Sequence, residues 1–170
     1  MLDIIQNPKF IIELEMPKTQ IIVNTPTKRD YLRLIQGLDT AEDFIRKYGL
    51  YTELPPLTES VSEKFVSDVI QALKDYREIN IDYLMIPEKT NFSGKKEDEI
   101  DFPILTHADN IVYQHSGLTF IQQLELSITE YWLLLADAVK IRLSDTEKGR
   151  EYLHICYMDM DKISTIKPNI

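Results

Sequence analysis

Between Ser127 and Ile141 the apolar residues are not confined to one stripe. Tyr131, Trp132, Leu134, Leu135, Ala138, Val139 and Ile141 cover a broad face. Ser127 followed three residues later by Glu130 is a capping box, so the segment reads as a helix with a defined start. A helix this apolar is expected to be buried against several neighbours. It is not a membrane span: the near-apolar run Tyr131–Val139 contains Asp137 and is far shorter than the roughly 20 residues a spanning helix needs. The rest of the chain therefore has to supply a wrapping for this element.

Phe10–Glu15 and Gln20–Asn24 read as strands joined by the turn signal Met16-Pro17-Lys18-Thr19, a hairpin with a four-residue loop. Ile12 and Leu14 alternate with Ile11, Glu13 and Glu15, as in a sheet with one wet face. Thr27 with Asp30 and Thr40 with Asp43 mark two short helices. The first carries Tyr31, Leu34 and Ile35 before Gly37; the second carries Phe44, Ile45 and Tyr48 before Gly49, which serves as a C-terminal stop. Leu54-Pro55-Pro56-Leu57 is the best boundary. Ser60 with Glu63 then opens the clearest amphipathic helix, with Val61, Phe65, Val69, Leu73 and Tyr76 on one stripe. Ile79–Tyr83 alternates like a strand, although Leu84-Met85-Ile86 would equally extend a helix. Ile111-Val112-Tyr113 reads as a short strand. Ser144-Asp145-Thr146 ends the apolar helix and caps another, with Tyr152, Ile155 and Cys156 on its face. The expected fold is α+β: an N-terminal β-hairpin packed on a mainly α-helical domain. Residues 1–57 hold the hairpin and two short helices, and 58–170 a helical region with an acidic loop near 90–101, in one compact unit.

Composition narrows the chemistry. The 170 residues carry 28 acidic and 19 basic side chains, a net charge of −9. A phosphate-backbone binder needs clustered Lys and Arg, so nucleic acid is not an expected partner. The single cysteine, Cys156, allows no internal disulfide, and the Met1-Leu2-Asp3 start lacks the order of a secretory leader; a cytoplasmic location is expected. Cys156 reads as a buried structural thiol, since His154, two residues away on a helix, points elsewhere. His107, Asp109 and His115 could ligate a divalent metal only if loop folding gathered them, and their spacing fits no known signature; surface or cap roles are the simpler reading. The five glycines form no phosphate loop or dinucleotide fingerprint. No catalytic, cofactor-binding or metal-binding constellation emerges. Trp132 reads as core more readily than as an interface anchor. Tyr51 beside Leu54-Pro55-Pro56 is either an exposed apolar patch or a loop packed on the core.

Two stretches carry a resemblance. Phe10-Ile11-Ile12-Glu13-Leu14-Glu15-Met16-Pro17, Ile21-Ile22-Val23 and Pro26-Thr27-Lys28-Arg29-Asp30-Tyr31-Leu32 resemble the opening of tail assembly chaperones of bacteriophages and prophages of Gram-positive bacteria. Tyr131-Trp132-Leu133-Leu134-Leu135-Ala136-Asp137-Ala138 and Leu143 through Leu153 are similar to a pattern of small phage tail-module proteins, with Ala136 where arginine is usual. The resemblance implies a non-enzymatic protein in the host cell cytoplasm that binds the tape measure or tail tube protein and assists tube assembly. Two other readings stand beside it: another phage connector or small inhibitor of a host system, and an enzyme with a carboxylate site that leaves little trace in sequence. For a partner-binding role the candidate contact residues are Val61, Phe65, Val69, Leu73 and Tyr76, together with Tyr131; self-association is a further expectation.

Overall fold

The computed structural model describes residues 8–15, 18–51, 57–81 and 108–154. Strand β1 (Lys9–Glu15) pairs antiparallel with β2 (Lys18–Asn24), in a register running from Lys9↔Asn24 to Glu15↔Lys18. Only two residues separate the strands, so Lys18 and Thr19, expected in the turn, belong to β2. Ile12, Leu14, Ile21 and Val23 point inward and are buried, as the alternation requires.

Helix α1 (Lys28–Ile35) is capped by Thr27, whose side chain accepts from the Asp30 N–H. It ends where Gly37, at φ +68°, turns the chain back. Leu38 N–H bonds to Arg33 O (2.9 Å) and Gly37 N–H to Leu34 O (3.1 Å), the paired bonds of a Schellman motif. Helix α2 (Ala41–Tyr48) is capped by Thr40. Gly49 does end it, but at φ −80°, ψ 140°, and the chain runs directly into β3 (Gly49–Leu50). This short strand pairs with β2 through Ile22↔Leu50 and Val23↔Gly49, giving an antiparallel sheet of order β1-β2-β3.

Helix α3 (Glu59–Asn80) starts two residues earlier than the Ser60–Glu63 signal suggests, because Thr58 takes the cap and accepts from Val61 N–H at 3.4 Å. It runs past Ile79, which is exposed, so the alternation from Ile79 does not make a strand at its start; Ile81 is buried. Ile111-Val112-Tyr113, expected as a strand, lies inside α4 (Ala108–Ser116), with the first two side chains buried and the third exposed. Three β-branched or aromatic residues read as a strand locally, but tertiary packing of α4 along α6 decides the outcome. Helix α5 (Phe120–Glu125) carries a full capping box, Thr119 with Gln122, that the sequence reading passed over. Helix α6 (Ile128–Ser144) begins at the expected Ser127–Glu130 box. A further helix, α7, occupies 147–154, capped by Thr146, which accepts from Gly149 N–H at 3.0 Å. The Leu54-Pro55-Pro56 boundary, the 90–101 loop, His107, Ile155 and Cys156 lie outside the described residues.

One apolar core runs through both halves of the chain, from Ile12 and Leu14 through Phe44 and Ile45 to Val69, Leu73 and α6. The hairpin sits on α3, with Phe10 edge-on to Tyr76 at 5.9 Å. Trp132 joins three helices: its ring meets Tyr31 of α1 edge-on at 5.5 Å, and the Arg77 guanidinium of α3 lies 5.5 Å from its centroid. Trp132→Ala is therefore expected to cost about 3–5 kcal/mol; an unchanged melting temperature would remove Trp132 from the core. Gly149 packs its backbone on the end of α6, where an added Cβ would fall 2.0 Å from Leu143 O. Gly149→Ala should lower stability by about 1–3 kcal/mol through forced separation of α6 and α7, measured by denaturant titration.

Candidate functional site

The polar side chains of greatest burial gather where α1 and α6 begin. Thr27 and Ser127, the two caps, face each other in an isolated antiparallel bridge. Lys28 N–H donates to Leu126 O (2.8 Å), and Ile128 N–H donates to Pro26 O (2.9 Å). Each helix thus donates one of its otherwise unpaired first-turn N–H groups to the carbonyl of the residue preceding the other helix's cap.

The two caps finish differently. At α6 the box is reciprocal: Glu130 N–H donates to Ser127 Oγ (3.2 Å), and Ser127 N–H donates to Glu130 Oε2 (2.9 Å). At α1 the acid is Asp30, one methylene shorter. Thr27 N–H donates instead to Tyr48 Oη (3.2 Å), and Tyr48 Oη donates to Asp30 Oδ2. The phenol from α2 bridges the gap that the short side chain leaves. Lys47 Nζ (2.5 Å) and Thr27 Oγ1 (3.0 Å) bond the same carboxylate oxygen.

The second cluster lies on the other side of the bridge. Lys28 is 5% exposed; its ammonium pairs with Asp109 Oδ1 of α4 and lies 3.7 Å from the Tyr131 ring centroid. Tyr131 Oη donates to the same Asp109 oxygen at 2.5 Å. Gln123, fully buried, donates from Nε2 to Asp109 O (2.9 Å) and Leu118 O (2.8 Å), which ties α5 to α4. Arg29 pairs with Glu125 at the exposed rim.

Burial raises the Asp30 carboxyl's pKa, but the bonds from Lys47, Tyr48 and Thr27 outweigh it, so the group is held below the usual carboxylate range. Burial, and then the bond to Asp30, raises Tyr48. Burial, and then Asp109, raises Tyr131 far above the ordinary phenol range. Both phenols are thus kept protonated and donating, the opposite of what a tyrosine acting as a general base requires. These clusters bind their own helices together.

The six residues expected to meet a partner lie against the chain's own core. Phe65, Val69, Leu73 and Tyr131 are buried, and Val61 and Tyr76 are half-buried against them. The stripe of α3 is thus the inner face of that helix, not an open groove. Asp109 is engaged by Lys28 and Tyr131, His115 is exposed at the end of α4, and among the described residues no three His, Cys, Asp or Glu side chains could hold a metal ion. Tyr51 is partly exposed beside β3. Between α1 and α2 lies an open depression of about 230 Å³. The charges lining it are paired, Arg33 with Asp39 (2.6 Å) and Lys47 with Asp30 (2.5 Å), and Asp43 accepts from Thr40 (2.7 Å).

Two features escaped the sequence reading. The first is buried Lys28. A signal existed: Lys28 and Arg29 open a helix, where the macrodipole disfavours cations, so each needs an acid from elsewhere. The second is the apolar corner of α4 and α5, where Phe120 (56%), Ile121 (69%) and Tyr113 are exposed. No protein-family model matches the chain, and no curated protein or solved structure was found to be similar to it. Among the described residues no helix is long and apolar enough to cross a membrane.

Two outcomes test the clusters. Tyr48→Phe should cost about 1–3 kcal/mol, and Asp30→Glu in that background should restore part of it, because the longer acid reaches Thr27 N–H unaided; no recovery would refute the relay. Stability linked to Asp30 is complete above about pH 4 and is lost as pH falls through its lowered folded value. That linked to Tyr48 and Tyr131 is complete below about pH 10 and is lost as pH rises beyond it. Urea midpoints should therefore fall on alkalinisation above that point, and fall less steeply in Tyr131→Phe.

Proposed function

We propose that this chain is a non-enzymatic tail assembly chaperone of a phage or prophage, which shields apolar helical segments of a tape measure protein in the host cytoplasm while the tube assembles. The observation that carries the reading is the exposed apolar corner formed by Tyr113, Phe120 and Ile121. Short amphipathic targets dock on such surfaces through a few large apolar anchors. The net charge of −9 would keep a complex with an aggregation-prone partner in solution. Two further points favour binding over catalysis. The titratable side chains of the buried clusters are engaged with one another, and both phenols are held in the protonated form. The stretches that carry the resemblance also meet in space, through the edge-on contact of Tyr31 with Trp132.

Co-expression with a long helical tape measure protein encoded beside this gene should yield a soluble complex. Ile121→Asp should reduce capture at least tenfold without moving the melting temperature, because that side chain is exposed. Retained capture places the contact elsewhere. Neighbouring genes of metabolic type, or turnover of any small molecule by the purified chain, would overturn the reading.

A further inference from the structure

The outer face of the sheet carries a second apolar feature, independent of the α4–α5 corner and of the reading built on it. Ile11 of β1, Ile22 of β2 and Leu50 of β3 are cross-strand partners, so they form one row across all three strands. They are 63%, 39% and 49% exposed. Strand periodicity places Lys9 and Glu13 on the same face, two residues to either side of Ile11, and both are exposed. Opposite them on β2 stand Asn24 and Gln20, and Gln20 Nε2 donates to Glu13 Oε1 at 2.9 Å. Along the strand the face therefore reads positive, apolar, negative.

From this order we infer that the face receives a second copy of the same chain. Two such sheets can meet face to face about a two-fold axis running along the row. That operation lays the row of one copy on the row of the other and reverses the strand direction, so Lys9 of each copy faces Glu13 of its mate. An axis parallel to the strands and over β1 would instead set Lys9 against Lys9 and Glu13 against Glu13, and one over β2 would lay β1 on β3 and separate Lys9 of each copy from Glu13 of its mate. The charge order selects the first arrangement and disfavours the second. Three exposed aliphatic side chains are much less than the roughly 800 Å² per partner of a stable dimer, so the association is weak, with a Kd on the order of 10–1000 μM.

Sedimentation equilibrium from about 10 μM to about 1 mM tests this over the range such an affinity requires. Wild type should pass from monomer to dimer, and raising the salt should weaken the association. Lys9→Glu alone and Glu13→Lys alone should each weaken it about tenfold, about what one lost charge pair per half-interface gives. The double variant Lys9→Glu/Glu13→Lys should return to the wild-type Kd, because the complementary order is restored with its sign reversed. Ile11→Lys should abolish the dimer, with thermal melts verifying that the exposed substitution leaves the fold intact. A wild-type chain that stays monomeric to about 1 mM, or a double variant in which the two losses add, overturns the inference.

Discussion

Two backbone bonds between the segments preceding α1 and α6 fix the arrangement on which the other contacts depend. Lys28 N–H and Ile128 N–H cross to Leu126 O and Pro26 O, so two helix N-termini start side by side. Both are the positive ends of helix dipoles, and placing them together is unfavourable unless negative charge surrounds them. Asp30 and Glu130 supply it from within the helices. Asp109 of α4 and Glu125 of α5 offset the further positive charge that Lys28 and Arg29 bring to the start of α1. Helix α1 is thereby held to three consecutive helices far along the chain, α4, α5 and α6, and Tyr31 and Trp132 seal the apolar side of the same junction.

The parts of this fold that were legible in the sequence are those set by local rules. Ile12 and Leu14 alternate with Ile11 and Glu13, and the strand follows. Thr27, Thr40 and Ser127 each stand three residues before an acid, and a helix begins after each. What escaped depends on distant partners. Ile111-Val112-Tyr113 has strand-like composition, yet its first two side chains are needed against α6, and helical spacing delivers them there. Thr58 prevailed over Ser60 as a cap, although only Ser60 has an acid three residues on; the stronger local motif did not set the boundary.

The candidate site was less legible than the fold. A stripe at helical spacing says that a helix has an apolar face, but not whether that face meets the same chain or another one. For Phe65, Val69 and Leu73 the answer is the same chain. The exposed side chains of α4 and α5 show no comparable periodicity, because α5 is six residues long and a stripe needs more turns than it has. The polar junction was hidden for a related reason. The two cations that open α1 signal that acids must come from elsewhere but not which ones, and only the position of Asp109 reveals that Lys28 is inside.

The position of Trp132 has an optical consequence. It is the only indole in the chain, and it stands where α1, α3 and α6 converge. Intrinsic fluorescence excited through tryptophan therefore reports one location, and not an average over the molecule. An emission change without loss of far-ultraviolet helical signal would mark the parting of those three helices while each stays coiled, a distinction that a bulk measure of helicity does not make.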